Sequence, residues 1–179
     1  MAKETILRGK ACVFGDYVDV FQILPQQYWA SVKKSLDKLI IKELGKHAME
    51  GADTNFAPKA LAGEYAFIVA GCNFGGGGKS IEDPVFAIKG AGVKAVIAES
   101  CSRYFFRNAI NNGLVAMMCG GITANVKTGD ELTINLSKGE ILNVTTGIRL
   151  QSAPMPKISL EILNMGGYIP YIRKTWSAV

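Results

Sequence analysis

The chain has one histidine, His47, which leaves no paired-histidine zinc pattern and no catalytic triad to assemble. Its four cysteines, Cys12, Cys72, Cys101 and Cys119, lie far apart with no Cys-x-x-Cys pair. That argues against a zinc or iron–sulfur site built by this chain alone, and they read instead as small buried residues. No apolar run approaches the roughly 20 residues of a bilayer-spanning helix. The opening Met1-Ala2-Lys3-Glu4-Thr5 is polar and lacks a signal-peptide core, so a cytoplasmic protein without a membrane partner is expected. The net charge of +5 comes from dispersed lysines. With neither a tight basic stripe nor interleaved aromatics, nucleic acid is not an expected partner.

What is present reads as one domain over 1–179. Hydrophobic residues make up 49% and charged residues 20%, a globular balance. A short strand is predicted over 11–14, with a turn at Gly15-Asp16. Lys33, Lys34, Lys38, Lys42 and Lys46 fall on a predicted helix over about 31–44, ending at Gly45. Its other face carries Val32, Leu36, Leu39, Ile40 and Leu44. Those lysines suit a solvated face first, and an acidic partner or anionic substrate second. A strand over 65–70, a glycine loop, a helix over 81–90 and a strand over 95–98 then form a βαβ unit. Its continuously apolar strands suit a buried parallel sheet. A helix over 103–111 and an apolar run over 114–118 repeat the step. Alternating stretches at 131–136, 141–144 and 148–150 predict antiparallel hairpins, and a last helix covers 158–164 before Gly166-Gly167. The fold class is α/β with an antiparallel β appendage.

The densest chemical signal is Gly71-Cys72-Asn73-Phe74-Gly75-Gly76-Gly77-Gly78-Lys79-Ser80. Consecutive glycines are entropically costly and bring backbone close to something, often an anion at a helix N-terminus. Gly78-Lys79-Ser80 after a strand suggests a phosphate-binding P-loop. That fingerprint needs glycine at position 73, where Asn73 stands, and offers only Glu99 as a weak second acid.

The flanks point elsewhere. Asn73-Phe74-Gly75, Glu82 and Ala87-Ile88-Lys89-Gly90-Ala91-Gly92-Val93 resemble the 3-isopropylmalate dehydratase small subunit family, the swivel domain of the aconitase superfamily. His47-Ala48-Met49-Glu50-Gly51, Ala95-Val96-Ile97-Ala98-Glu99-Ser100, Phe106 to Leu114, Gly129-Asp130-Glu131-Leu132, Thr145-Thr146-Gly147 and Leu160 to Gly167 extend the likeness over nearly the whole chain. The resemblance implies a three-layer β/β/α swivel fold. It also implies a separate large subunit carrying a [4Fe–4S] cluster, in a heterodimer or heterotetramer, with no cofactor held by this chain. The implied reaction is reversible dehydration and hydration of a hydroxy-di- or tricarboxylic acid. There a loop serine moves the carbon-bound proton and arginines clamp carboxylates.

The chain departs from the family where the chemistry sits. The family loop reads Asn-Phe-Gly-Cys-Gly-Ser-Ser-Arg-Glu-His-Ala-Pro. Aligned back from Val93, Lys79 takes the place of the catalytic serine, Ser80 of the second serine, Ile81 of the arginine and Asp83 of the histidine. Asp16 and Asp19 survive from the family's Asp-x-x-Asp-Thr-Asp, and Gln26-Gln27 stand where Ala-Arg precedes the tyrosine, here Tyr28. The candidate catalytic residues are therefore Lys79 and Ser80. The candidate substrate-binding residues are Gly77, Gly78, Lys79, Ser80, Asp16 and Asp19, and no metal ligand is expected. Lys79 can pair with a carboxylate as a point charge, or act as a base; it would equally suit a solvated, flexible loop. Ser80 also suits an N-cap, Glu82 the helix N-terminus, and Asp16 and Asp19 turn positions. The altered loop leaves open a lapsed paralogue serving as a binding or regulatory partner, and a phosphate or nucleotide binder through Gly78-Lys79-Ser80.

Overall fold

Strand β1 (Ile6–Val13) belongs to two kinds of sheet at once. A computed structural model, which describes residues 5–29 and 38–176, gives the order of elements. After β1 come α1 (Val20–Ile23), a 3-10 turn (Gln26–Tyr28), α2 (Lys38–Gly45), α3 (Phe56–Leu61), β2 (Phe67–Ala70) and α4 (Asp83–Gly90). There follow β3 (Ala95–Ala98), α5 (Arg103–Asn111), β4 (Val115–Met118), α6 (Ile122–Asn125), β5 (Glu131–Asn135), β6 (Glu140–Asn143), β7 (Arg149–Gln151), α7 (Lys157–Asn164) and α8 (Tyr168–Trp176). The seven strands run in the order β4-β3-β2-β1-β5-β6-β7. Residues Ala11 to Val13 of β1 pair in parallel with β2, whereas Ile6 to Lys10 pair antiparallel with β5.

Alternation along the strands creates the layers. Cys12, Ile68, Ala70, Val96, Ala98 and Ala116 face one way and pack with Leu44, Phe86, Ile88 and Phe105 from the helices. Ala11, Phe67, Val69, Ile97 and Met117 face the other way, against Leu132, Ile134 and Ile141 of the antiparallel half. The sheet therefore curls back over itself, giving antiparallel β, parallel β and helix: the expected β/β/α fold. Its central strands are covered on both faces, which accounts for their unbroken apolarity. Phe67, Ile68 and Ile97 are fully buried, each contributing about 1.5–3 kcal/mol of transfer free energy.

Several expectations need adjustment. β1 begins five residues before the predicted strand, because Arg8, Gly9 and Lys10 look polar in sequence yet pair fully with β5. Helix α4 starts at Asp83 rather than 81, since Pro84 sits in its first turn. The lysine-rich helix is described from Lys38, and 31–37 lie outside the described residues. Within it Leu44 is buried but Leu39 is 73% exposed, so the apolar stripe is narrower than predicted. Gly45 ends α2 where its backbone meets α4: a Cβ there would strike the Gly90 carbonyl, and one on Gly90 would strike the Ile41 carbonyl. Gly166-Gly167 closes α7 as expected, but α8 follows, with Pro170 tolerated in its first turn.

Candidate functional site

Three segments meet beyond the C-terminal ends of β1, β2 and β3. The backbone of 71–76 runs between 15–20 and 100–102 like a short extra strand. Gly71 N–H donates to the Gly15 carbonyl at 3.1 Å, and Tyr17 N–H to Cys72 at 2.7 Å. Gly75 N–H donates to Val18 at 2.8 Å, and Val20 N–H to Gly76 at 3.1 Å. On the other side Phe74 N–H reaches the Ser100 carbonyl at 3.0 Å, and Ser102 N–H reaches Phe74 at 2.9 Å. Side chains complete the lacing. Asp16 Oδ1 accepts Cys72 N–H at 2.6 Å, Ser100 Oγ accepts Asn73 N–H at 2.9 Å, and Ser102 Oγ donates to the Gly75 carbonyl at 2.6 Å.

Local sequence explains this path. Phe74 is fully buried and meets Phe105 edge-to-face at 5.0 Å, anchoring the loop in the helical-layer core. Gly75 turns at φ +72°, and any Cβ there would enter the Phe105 ring. Gly71 admits no side chain because the Asp16 carboxylate fills that space. The N–H groups of Cys72, Asn73, Phe74 and Gly75 are thus committed to the protein. A P-loop would turn such groups toward phosphate.

Beyond this anchor, Gly77, Gly78, Lys79 and Ser80 are exposed. Lys79 is not simply solvated: its Nζ lies 5.5 Å from the Phe21 ring centroid and 5.6 Å from that of Trp29. Those rings stack at 5.2 Å and 25°. Ser80 does not cap α4, which is entered through Glu82 without any side-chain cap hydrogen bond. Its Oγ instead stands 3.5 Å from Asn108 Nδ2. Glu82 Oε1 accepts from Asn112 Nδ2 at 2.9 Å. Asp83 is buried in the first turn of α4, where the helix dipole favours a negative charge.

Asp16 and Asp19 each commit an oxygen to local structure. Asp19 Oδ1 caps α1, accepting Phe21 N–H at 2.9 Å and Gln22 N–H at 2.8 Å, and Gln22 Oε1 accepts Asp19 N–H at 3.0 Å in return. The structure thus gathers Asp16, Asp19 and Gly77 to Ser80 on one edge of the fold, around the segment 71–76.

Sequence reasoning missed two clusters. Tyr28 donates its hydroxyl to Glu50 Oε1 at 3.1 Å, His47 Nδ1 lies 2.6 Å from Glu50 Oε2, and the His47 and Tyr28 rings stack at 3.6 Å. The i,i+3 spacing of His47 and Glu50 was the available signal; nothing local signalled Tyr28. The second cluster surrounds Glu99, whose oxygens accept Gly121 N–H at 2.7 Å, Thr123 N–H at 3.0 Å and the Thr123 hydroxyl at 2.7 Å. Burial opposes its charge, but the Thr123 and Gly121 hydrogen bonds outweigh it and hold the carboxyl below its ordinary range. Glu99 thus serves the start of α6.

The cysteines behave unevenly. Burial pushes the Cys12 thiol up to about 11 and that of Cys101 to about 12. Cys72 is exposed on the loop, contrary to the expectation of burial. Among the described residues, no three His, Cys, Asp or Glu side chains gather to hold a metal ion. Nor is any described helix long and apolar enough to cross a membrane.

A β/β/α domain with a laced glycine loop off its parallel strands is the architecture of the aconitase swivel class, and residues 13–120 match the aconitase C-terminal domain family. Within that class the chain belongs to the 3-isopropylmalate dehydratase small subunit family, which makes it a hydro-lyase small subunit. It is 43% identical over 171 residues to the isopropylmalate/citramalate isomerase small subunit of Methanocaldococcus jannaschii, covering 96% of both chains. It is 42% identical over 168 residues to the 3-isopropylmalate dehydratase small subunit of Pyrobaculum calidifontis, covering 94% of this chain and 98% of the relative. The crystal structure of 3-isopropylmalate dehydratase from M. jannaschii superposes with a TM-score of 0.84 at 39% identity, over 97% of this chain and 96% of that one.

Proposed function

We propose that this chain, in the cytoplasm, completes the active site of a separate large subunit that carries a [4Fe–4S] cluster. The reaction is the reversible dehydration and hydration of a hydroxy-di- or tricarboxylic acid. The carrying observation is the exposed Gly77–Ser80 tip, mounted on a hydrogen-bonded base and holding an ammonium group where the family places its active-site serines and arginine.

The cluster does not fit a site within this chain. The cysteines are scattered, and the Cys12 and Cys101 thiols are held protonated by burial. It fits supply by the partner, where its iron would act as a Lewis acid on the substrate hydroxyl and a carboxylate. This chain contributes the opposing wall. Lys79 pairs with a substrate carboxylate as a point charge, in place of the family arginine now replaced by Ile81. Ser80 Oγ holds or moves a proton, and the exposed backbone of Gly77 and Gly78 lets the substrate approach closely. Asp16 and Asp19 line the approach and fix the loop beneath it.

The test is co-expression with the large subunit encoded in the same genome, followed by an iron assay and turnover of unsaturated dicarboxylates. A brown complex that hydrates one of them only with this chain present supports the reading. Lys79→Ala and Ser80→Ala are expected to lower kcat/KM by about 100-fold or more. Unchanged turnover in both variants would overturn the site. A stable complex inactive on every dicarboxylate would favour a lapsed paralogue.

A further inference from the structure

Lys79 follows two exposed glycines and is itself exposed. Its ammonium nevertheless lies against two aromatic faces, 5.5 Å from Phe21 and 5.6 Å from Trp29. Both rings are themselves held. Phe21 is the second residue of α1, whose start is fixed by the Asp19 capping box, and Trp29 donates Nε1–H to the Leu24 carbonyl at 2.9 Å. The adjacent Tyr28 is tied through Glu50 and stacked on His47. Among the described residues, no carboxylate forms an ion pair with Lys79.

We propose that Phe21 and Trp29 are positioning residues that hold the Lys79 ammonium over their stacked rings, so that it meets a substrate carboxylate as a cation. A ring attracts the charge through its quadrupole without consuming N–H donors, whereas a carboxylate partner would occupy them. The ammonium thus stays localised with donors open toward solvent. An ammonium held against two ring faces is placed to bind a carboxylate, which assigns Lys79 to carboxylate binding and leaves the proton to Ser80. The role in turnover rests on the reading of Lys79 in the preceding subsection; the contact between lysine and rings does not.

The test uses the full chain labelled with 13C-lysine, with Lys79 assigned through Lys79→Arg. The Lys79 ε-protons are expected upfield of the other lysines through ring currents. Phe21→Leu and Trp29→Leu should move them toward the bulk lysine position, whereas Phe21→Tyr and Trp29→Phe should retain the shift. Succinate, a plain dicarboxylate, should perturb Lys79 at lower concentration in the wild-type chain than in the leucine variants. In the complex with the large subunit, the leucine variants should raise KM for the hydroxy acid roughly fivefold to thirtyfold with kcat within about twofold, the scale of cation–π contacts on two rings. A Lys79 resonance at the bulk position in the wild-type chain, or equal succinate titrations, would overturn the proposal; so would a fall in kcat at constant KM. An inactive wild-type complex would count against the functional reading alone, because the resonance and the succinate titration still decide the positioning role.

Discussion

Asn108 donates its side-chain N–H to the carbonyl oxygen of Ile81 at 3.1 Å, and the same nitrogen stands 3.5 Å from Ser80 Oγ. One turn later, at the C-cap of α5, Asn112 donates to Glu82 at 2.9 Å. Helix α5 and its C-cap therefore hold the exit of the loop, as Asp16 holds its entrance. Asn108→Ala is expected to cost about 1 kcal/mol of stability, or roughly 2–4 °C in Tm for a domain of this size. In the complex it should lower kcat/KM by about tenfold, because Ser80 loses its orientation. Thermal melts beside kinetics check this, and a loss confined to Tm would remove the positioning role.

Glu99 predicts an acid-sensitive α6. Its carboxyl is held below the ordinary value in the folded chain, so it binds a proton less readily folded than unfolded. Its stabilisation is therefore complete above the unfolded pKa of about 4.3. It is lost as pH falls through the lower folded value. Glu99→Gln should cost about 1–3 kcal/mol at pH 7, and the gap to the wild-type chain should narrow below about pH 4. Urea melts across pH 3–7 measure both arms, and a constant gap would sink the assignment.

The contact between α2 and α4 depends on two missing side chains. Gly90→Ala would drive a methyl group into the Ile41 carbonyl. The expected loss is about 1–3 kcal/mol, as for other overpacked sites. Gly120→Ala makes a control, since a Cβ there meets nothing within 4 Å and its φ is not positive; it should change stability by less than about 0.5 kcal/mol. Equal effects from the two substitutions would contradict the packing described.

Thiol labelling should separate the cysteines. Cys72 is exposed on the loop and is expected to react first with iodoacetamide. Cys12 and Cys101, with thiols raised to about 11 and about 12, should resist at pH 8 until the chain unfolds. Peptide mass spectrometry at successive times reads the order directly.

Where the hydrophobic period was strong, sequence and structure coincide. β3 and α5 have the predicted bounds: the first is an unbroken apolar run between Lys94 and Glu99, and the second starts after its Ser102 cap and stops at Asn112-Gly113. The short helix α1 escaped notice: four residues carry too little periodicity, although Asp19 and Gln22 spelled its capping box. The first half of β1 was hidden by Arg8 and Lys10, whose partners on β5 are more than a hundred residues away. At the site, the glycine loop and its lysine were legible. The Phe21–Trp29 shelf was not, since ring stacking across eight residues follows from the turn at 24–28 rather than from any local pattern. Glu99 was visible as an acid after a strand, but its attachment to Thr123 required the tertiary fold.

The lacing of 71–76 divides the glycine loop into a mount and a tool. The mount shares its hydrogen bonds with 15–20 and 100–102, so a substitution at Asp16, Gly71 or Gly75 disturbs three strand ends together. The tool, 77–81, carries the residues proposed to meet the substrate, and Gly77 to Ser80 within it are exposed. Such a partition makes chemistry interchangeable without refolding. Grafting a Ser-Ser-Arg tip onto this mount, or this Gly-Lys-Ser-Ile tip onto a relative, exchanges one part of a modular instrument and leaves the frame unaltered.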